Sequence, residues 1–230
     1  MPEGTLSERH VVREAQSPLV PGVVAPGGKN AAINPEDSSP ARGVKYATIV
    51  ADPPWEMPSG GKHAGNARWN ANPRRPSELP YATLGLDAVM ALPVTDLARK
   101  DAHLYLWVPN AHLAHAHDVC AAWGFRASQM LVWVKTPRGL GLGGAFTNTA
   151  EFVLFARRGS LPALSRQDTS WFHWTRPHNN HSAKPEAFLD LVEQVSPGPY
   201  VELFARRNRL GWDSWGNECL QHVEMPTPAV

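Results

Sequence analysis

The chain has 230 residues, enough for one domain with a substantial core and too few for two comfortable ones. Its 22 basic and 21 acidic residues leave a formal net charge of +1, so the overall balance announces no polyanionic partner and any nucleic-acid contact must come from local patches. Two cysteines, Cys120 and Cys219, form neither a disulfide framework nor a metal-ligand spacing. With no run of about 18 apolar residues and no signal-peptide core, the sequence reads as a soluble, cytoplasmic protein without membrane contact.

Residues 1–43, rich in Pro, Gly, Ala and Ser, read as a flexible N-terminal arm, with the ordered domain over 44–222 and a tail over 223–230. From Val44 onward, strand-like apolar runs alternate with helix-like ones, the pattern of an α/β sheet covered on both faces. The predicted strands are KYATIVA, HLYLWV, ASQMLVWV, EFVLFAR and YVELFAR, several of them continuously apolar as in strands buried on both sides. Helices are predicted over 86–92, 111–123 and 185–195, the last with Pro185 in its first turn and SPG at its end. Between Trp133 and Phe155 two strands follow each other across a glycine-rich loop with no helix, which makes a hairpin and a mixed sheet.

In open α/β sheets, ligands bind beyond the carboxyl ends of the strands. The unusual residues of this chain fall there: DPPW at 52–55, PN at 109–110, Lys135, and Ala205 with Arg206. An isolated Asp-Pro is more often a strand-terminating turn. Followed by a second proline and a tryptophan, it makes a rigid corner in which the Asp52 carboxylate and the Pro53 carbonyl accept both hydrogens of a planar amino group while an aromatic ring stacks on the base that bears it.

DPPW resembles the signature of the amino methyltransferases that act on adenine N6. The flanking blocks ELPYATLGLDAVMALPV, LYLWVPN, AAWGF, VWVKT, AEFVLFARRG, HSAKPEAFLDLVEQVSPG and VELFAR followed by GWDSWGNE resemble the subgroup that contains the catalytic subunit of the eukaryotic messenger-RNA N6-adenine methyltransferase and many bacterial and phage relatives. They occur in the family's order over residues 44 to 218. The resemblance implies an S-adenosylmethionine-dependent enzyme with a Rossmann-like, permuted methyltransferase sheet, in which the catalytic motif comes early and the cofactor strand late. By the same match, Asp52 and the Pro53 carbonyl hold the amine, Pro54 stiffens the turn and Trp55 shapes the base pocket. Lys184, Glu202, Phe204, Arg206 and Asn217 fall on cofactor positions, with Asp52 able to touch the cofactor as well, and Tyr81 and Trp107 fall on aromatic positions lining the site. The implied partner is nucleic acid. DNA is favoured, because compact chains of the family are mostly bacterial or phage-like; RNA is the runner-up, and a catalytically silent nucleic-acid-binding subunit is the rival, against which the intact Asp52 speaks.

Arg74 and Arg75, beside Trp69 and Tyr81 in the loop after DPPW, suit phosphate contact near an extruded base, and His178 and His181 flank the Lys184 block as substrate-loop candidates. With no segment long enough for a separate target-recognition domain, loops 56–80 and 176–184 are expected to read the target, favouring single-stranded or mismatched adenine that flips out cheaply. Other signals read more simply. GLGLGG at 139–144 has the dinucleotide spacing but precedes a strand, so it reads as hairpin loop. His112, His115 and His117 lack a further ligand cluster and read as an exposed helical face, so no metal is expected. Arg157 with Arg158 are divided between surface charge and function, and Trp123, Trp212 and Trp215 read as packing residues.

Overall fold

A computed structural model describes residues 43–56, 83–136, 146, 148–175 and 183–225, all within one compact unit. In chain order the elements are β1 (Tyr46–Ala51), α1 (Leu86–Met90), α2 (Val94–Leu97), β2 (Ala98–Val108), a 3₁₀ helix (Asn110–His115), α3 (Ala116–Ala122), β3 (Arg126–Thr136), β4 (Ala150–Arg158), β5 (Trp171–Thr175), α4 (Glu186–Val195), β6 (Tyr200–Leu203) and β7 (Trp212–Trp215).

The strands form one seven-stranded sheet in the order β5-β3-β4-β2-β1-β6-β7. All run parallel except β4, which lies antiparallel to both β2 and β3, as the hairpin reading requires. The chain builds outward from β1 in one direction and returns later to lay β6 on its other edge, so a topological switch falls between β1 and β6. This is the mixed, Rossmann-like methyltransferase sheet, with the aspartate-bearing strand first and β6 late in the chain.

Every residue of β1 is buried, which explains a run that is apolar but for Thr48, whose hydroxyl donates to the Pro197 carbonyl. One sheet face carries Ile49, Ala51, Leu104, Leu106, Leu154 and Val201 under α1, α2 and α3. The other carries Val50, Tyr105, Trp107, Trp133 and Val153 under Phe188, Leu189 and Val192 of α4. The two faces follow from the period-2 alternation of side chains along each strand. Trp123, wholly buried, donates its indole N–H to the Val89 carbonyl, and Trp212 donates to the Glu193 carboxylate, so both tryptophans pack as expected.

Several boundaries differ from the sequence reading. The helix expected over 111–123 is a 3₁₀ helix followed by α3, and Pro185 lies just before α4 in extended conformation instead of inside its first turn. β5 and β7 are additions. Both are short, and their mixtures of aromatic and polar residues, WFHWT and WDSW, lack the long apolar run that marked the central strands. Val223, at the start of the expected tail, is buried in the core, with Met225 packed against it. Except for Gly43, the expected N-terminal arm lies outside the described residues, as does the GLGLGG loop.

Candidate active site

Because six strands share one direction, the carboxyl ends of β1, β2, β3 and β6 meet at one margin of the sheet, together with the amino end of β4. Four chain segments place charged groups there. Asp52 follows β1, Lys135 is the penultimate residue of β3, Glu151 is the second of β4, and Lys184 stands just before α4. The Lys184 ammonium lies 2.8 Å from Asp52 and 3.3 Å from Glu151, while Lys135 lies 2.6 Å from the other oxygen of Glu151. The chain of pairs, Asp52–Lys184–Glu151–Lys135, is electrically balanced and largely buried.

Burial shifts each group, and its neighbours decide the sign. Desolvation pushes the Asp52 carboxyl up, against the pull of Lys184. It pushes Glu151 up too, but the two lysines outweigh it and hold that carboxyl low. For Lys184, burial works against the charge, yet Asp52 and Glu151 together leave the ammonium pKa raised. The Lys184 ammonium also sits 5.0 Å from the centre of the Trp107 ring, which adds a cation–π contact.

The DPPW corner is held at every residue. The Asp52 N–H donates to the Leu203 carbonyl of β6, the Trp55 N–H returns to the Pro53 carbonyl at 2.8 Å, and the Leu84 N–H donates to the Pro54 carbonyl at 2.8 Å. Neither proline carbonyl is therefore bare. Pro53 keeps one lone pair for a further donor, and Pro54 is committed to fastening the segment before α1. Trp55 is turned inward, 5% exposed, with its indole N–H on the Trp107 carbonyl at 3.0 Å and its ring stacked on His112. His112 in turn bonds the Glu56 carbonyl at 2.6 Å, so it braces the corner instead of standing on an exposed helical face. Trp107 is 2% exposed and meets Phe188 and Trp133 edge to face, so its contribution is to carry Lys184.

On the other side of the switch, β6 presents Glu202 beside Val50 of β1 and Ser214 of β7. Burial, with Asp52 and Glu186 adding to it, pushes the Glu202 carboxyl up to about 7 although Arg207 and Lys184 oppose the shift. No hydrogen bond or ion pair satisfies Glu202 among the described residues, and the buried Ser214 hydroxyl beside it also lacks a partner there. Phe204, two residues beyond Glu202, has φ +64°, a left-handed conformation that a bulky side chain adopts only when its surroundings impose it. The imposition is visible. Phe204 packs edge-on against Trp215, the Ala205 N–H donates to the Trp215 carbonyl, and Gly216 approaches Ala205 so closely that a Cβ there would stand 2.1 Å from its carbonyl oxygen. Arg206 follows this turn and acts on Asp52 through its charge, whereas Asn217 lies exposed beyond β7.

The margin thus gathers Asp52, Lys135, Lys184, Glu202, Phe204 and Arg206. Tyr81, Arg74, Arg75 and His181 lie outside the described residues. Glu151 is the residue that sequence reasoning passed over. The available signal was cross-strand: Glu151 faces Trp133 in the β3–β4 ladder, which puts it diagonal to Lys135 on the same face. Among the described residues no group of three His, Cys, Asp or Glu side chains is placed to hold a metal ion, and no helix is long and apolar enough to cross a membrane.

The MT-A70 family model matches residues 46–218. The type II methyltransferase M.MunI of Mycoplasma sp is 30% identical over 220 residues, covering 86% of this chain and 90% of that protein. The human N(6)-adenine-specific methyltransferase METTL4 is 29% identical over 202 residues, 78% of this chain but 39% of METTL4. An N(6)-adenosine-methyltransferase MT-A70-like protein of Drosophila melanogaster is 28% identical over 196 residues, 81% of this chain and 29% of its own length. The chain therefore spans most of the Mycoplasma protein and well under half of the two animal ones.

Proposed function

Since the chain belongs to the MT-A70 family and is an adenine-N6 methyltransferase, we propose that it takes its methyl group from S-adenosylmethionine and places it on adenine in DNA, with Asp52 holding the amine and Glu202 the cofactor ribose. The observation that carries this reading is the rigid, lysine-braced Asp52 at the β1 end, across the switch point from an acceptor-rich β6 end.

The β6 end fits the cofactor by its donor and acceptor set. Glu202 is an acceptor without a donor among the described residues, Ser214 beside it has an unpartnered hydroxyl, and the left-handed turn at Phe204 opens the backbone where β6 ends. A ribose diol supplies the donors such a carboxylate needs. When bound, S-adenosylmethionine supplies an electrophilic sulfonium methyl group.

The amine end works by position and charge. Adenine N6 is a poor nucleophile because its lone pair is delocalised into the ring. Asp52 and the remaining lone pair of the Pro53 carbonyl accept its two hydrogens, which favours the pyramidal, more nucleophilic nitrogen. Burial, by pushing the Asp52 carboxyl up, strengthens it as an acceptor and suits it to receive the proton that the amine must release. Lys184 fixes the carboxylate without neutralising it, since Glu151 shares the same ammonium. The corner is thus aligned before substrate arrives, and positioning supplies most of the acceleration.

DNA is favoured over RNA because the match to the Mycoplasma type II methyltransferase covers 90% of that protein, whereas the match to the relative named for adenosine covers 29% of its length. Nucleoside mass spectrometry after incubation with isotope-labelled S-adenosylmethionine and matched single-stranded DNA, duplex DNA and RNA tests the reading. Labelled N6-methyladenine is expected in DNA, more in the single strand than in the duplex, because a paired base must first be extruded at about a few kcal/mol. Label in RNA alone would transfer the activity to that polymer, and label in none would overturn it.

A further inference from the structure

Phe172 and Trp174 of β5 stack face to face, their ring centres 4.7 Å apart and their planes inclined by 8°. Side chains two residues apart on a strand share one face of the sheet and are offset along the strand axis. A stack of this kind therefore turns one side of the Trp174 indole onto Phe172 and the other towards the carboxyl end of β5. That end lies at the same margin as Asp52, because β5 runs parallel to β3 and the ladder sets Trp174 beside Lys135. The charged row Asp52–Lys184–Glu151–Lys135 thus ends beside an aromatic side chain. Trp107, Trp133 and Phe188, which belong to the same face, are buried, whereas Trp174 is half-buried. Trp133 donates its indole N–H to the Trp174 carbonyl at 2.9 Å, and Phe188 meets the Trp174 ring edge to face at 6.3 Å, so backbone and ring are both held. The indole N–H of Trp174 itself has no partner among the described residues.

We propose that the outward side of Trp174 stacks on a base of the substrate strand several nucleotides from the target adenine, as an anchor at the far end of the active-site margin. From β1 to β5 that margin crosses four strand spacings, about 19 Å. A single strand laid along it with the target base at Asp52 brings another base over Trp174 roughly three to six nucleotides away, according to how far the strand is stretched. The two ammonium groups and two carboxylates of the row cancel, so the row offers a phosphodiester no net attraction, and an aromatic face supplies what charge does not. Every base has a π face, so the contact holds the strand without reading it. The inference rests on the nucleic-acid substrate proposed above, but binding is measured without methyl transfer, so the two can fail separately.

The test uses Trp174→Leu, which keeps apolar bulk against Phe188 but has no π face, and Trp174→Phe, which keeps one. A labelled 30-nucleotide DNA strand carrying one adenine is bound without cofactor, and a single abasic site is moved along it one nucleotide at a time, with Kd read by anisotropy across salt concentrations. Trp174→Leu is expected to weaken binding of the intact strand about 5- to 50-fold at an unchanged logarithmic salt slope, and Trp174→Phe by less. In the wild type, one abasic position on one side of the adenine, roughly three to six nucleotides from it, should cost about as much, and at that position alone Trp174→Leu should cost nothing further. An abasic site at the adenine itself reports on the amine end independently. Wild-type affinity in Trp174→Leu would overturn the anchor whatever happens at the adenine. So would a loss of similar size at every abasic position, which is what disturbed packing alone produces, or a salt slope lowered by about 1, which would assign the loss to a displaced phosphate contact.

Discussion

The two sides of the β1–β6 switch are built on opposite plans. On the β1 side, Asp52 is matched within the chain, braced by Lys184, which Glu151 and Trp107 hold in place. On the β6 side, Glu202 is half-buried, with no hydrogen bond or ion pair among the described residues, beside an unpartnered buried Ser214 hydroxyl. The first is a finished electrostatic instrument, complete before anything binds. The second is a half-desolvated acceptor that the donors of a ligand can satisfy. The chain thus spends its internal partners where geometry must be fixed and leaves them out where a ligand must be held.

The sharpest way to break this contrast is to remove Asp52. Asp52→Ala should lower the single-turnover rate at saturating cofactor by a factor on the order of 10² or more, because the lost acceptor matters most as the amine becomes nucleophilic. Cofactor affinity, measured by calorimetry, should fall much less. Near-normal turnover would show that the finished side is not where the amine is held.

Glu202 should fail the opposite way. Glu202→Ala removes a charged hydrogen bond worth roughly 1.5–3 kcal/mol, so cofactor Kd should rise about 10- to 150-fold with a smaller change in saturated turnover. The pH dependence follows from the carboxyl held at about 7. Cofactor affinity of the wild type should climb as pH rises through 7 and the carboxyl ionises, and Glu202→Gln should flatten that climb. The folded pKa stands above the ordinary carboxylate value, so the folded chain binds more protons than the unfolded chain between the two, and this group lowers stability as pH rises towards and through 7. Glu202→Gln should therefore melt higher than the wild type at pH 8 and equally at pH 4, by roughly 2–4 °C for each kcal/mol relieved.

The smallest effect belongs to Glu151. Glu151→Gln leaves Lys184 with Asp52 alone, so turnover should fall about tenfold, the loss of roughly 1.4 kcal/mol of alignment. With one carboxylate gone, the alkaline limb of the rate profile should move to lower pH as the Lys184 ammonium loses support. An unchanged limb would mean that Asp52 alone sustains the lysine.

How much of this could be read from the sequence depended on how each residue declares itself. β1, β2 and the β3–β4 hairpin were legible because burial on two faces writes a continuous apolar run, and Asp52 because two prolines and a tryptophan are a costly way to make an ordinary turn. β5 and β7 were not, since a four- or five-residue edge strand leaves too short a pattern to separate from loop. Glu151 was hidden for another reason. A lone acid at the start of an apolar strand looks like a solvated end until the ladder register brings Lys135 diagonal to it. Trp55 stands at the DPPW corner that the sequence marks, but its inward turn depends on the Trp107 carbonyl and His112, partners that local sequence does not reveal.

The late return of β6 has a consequence for how the chain comes to be active. β3 and β4 can pair as soon as their hairpin closes, but the central strand β1 keeps one edge unpaired until residues 200 to 203 arrive from the far end of the chain. Closing so long a loop is entropically expensive, so this pairing belongs among the slow events of folding. Until it occurs, β1 offers an edge of unpaired N–H and C=O groups to any other strand, and the DPPW corner lacks the Leu203 carbonyl that receives the Asp52 N–H. On a ribosome Asp52 is made early and shaped late. A chain released before β6 would carry the complete signature motif and remain a sticky, inactive fragment, because the reactive corner is a property of the closed sheet and not of the four residues that spell it.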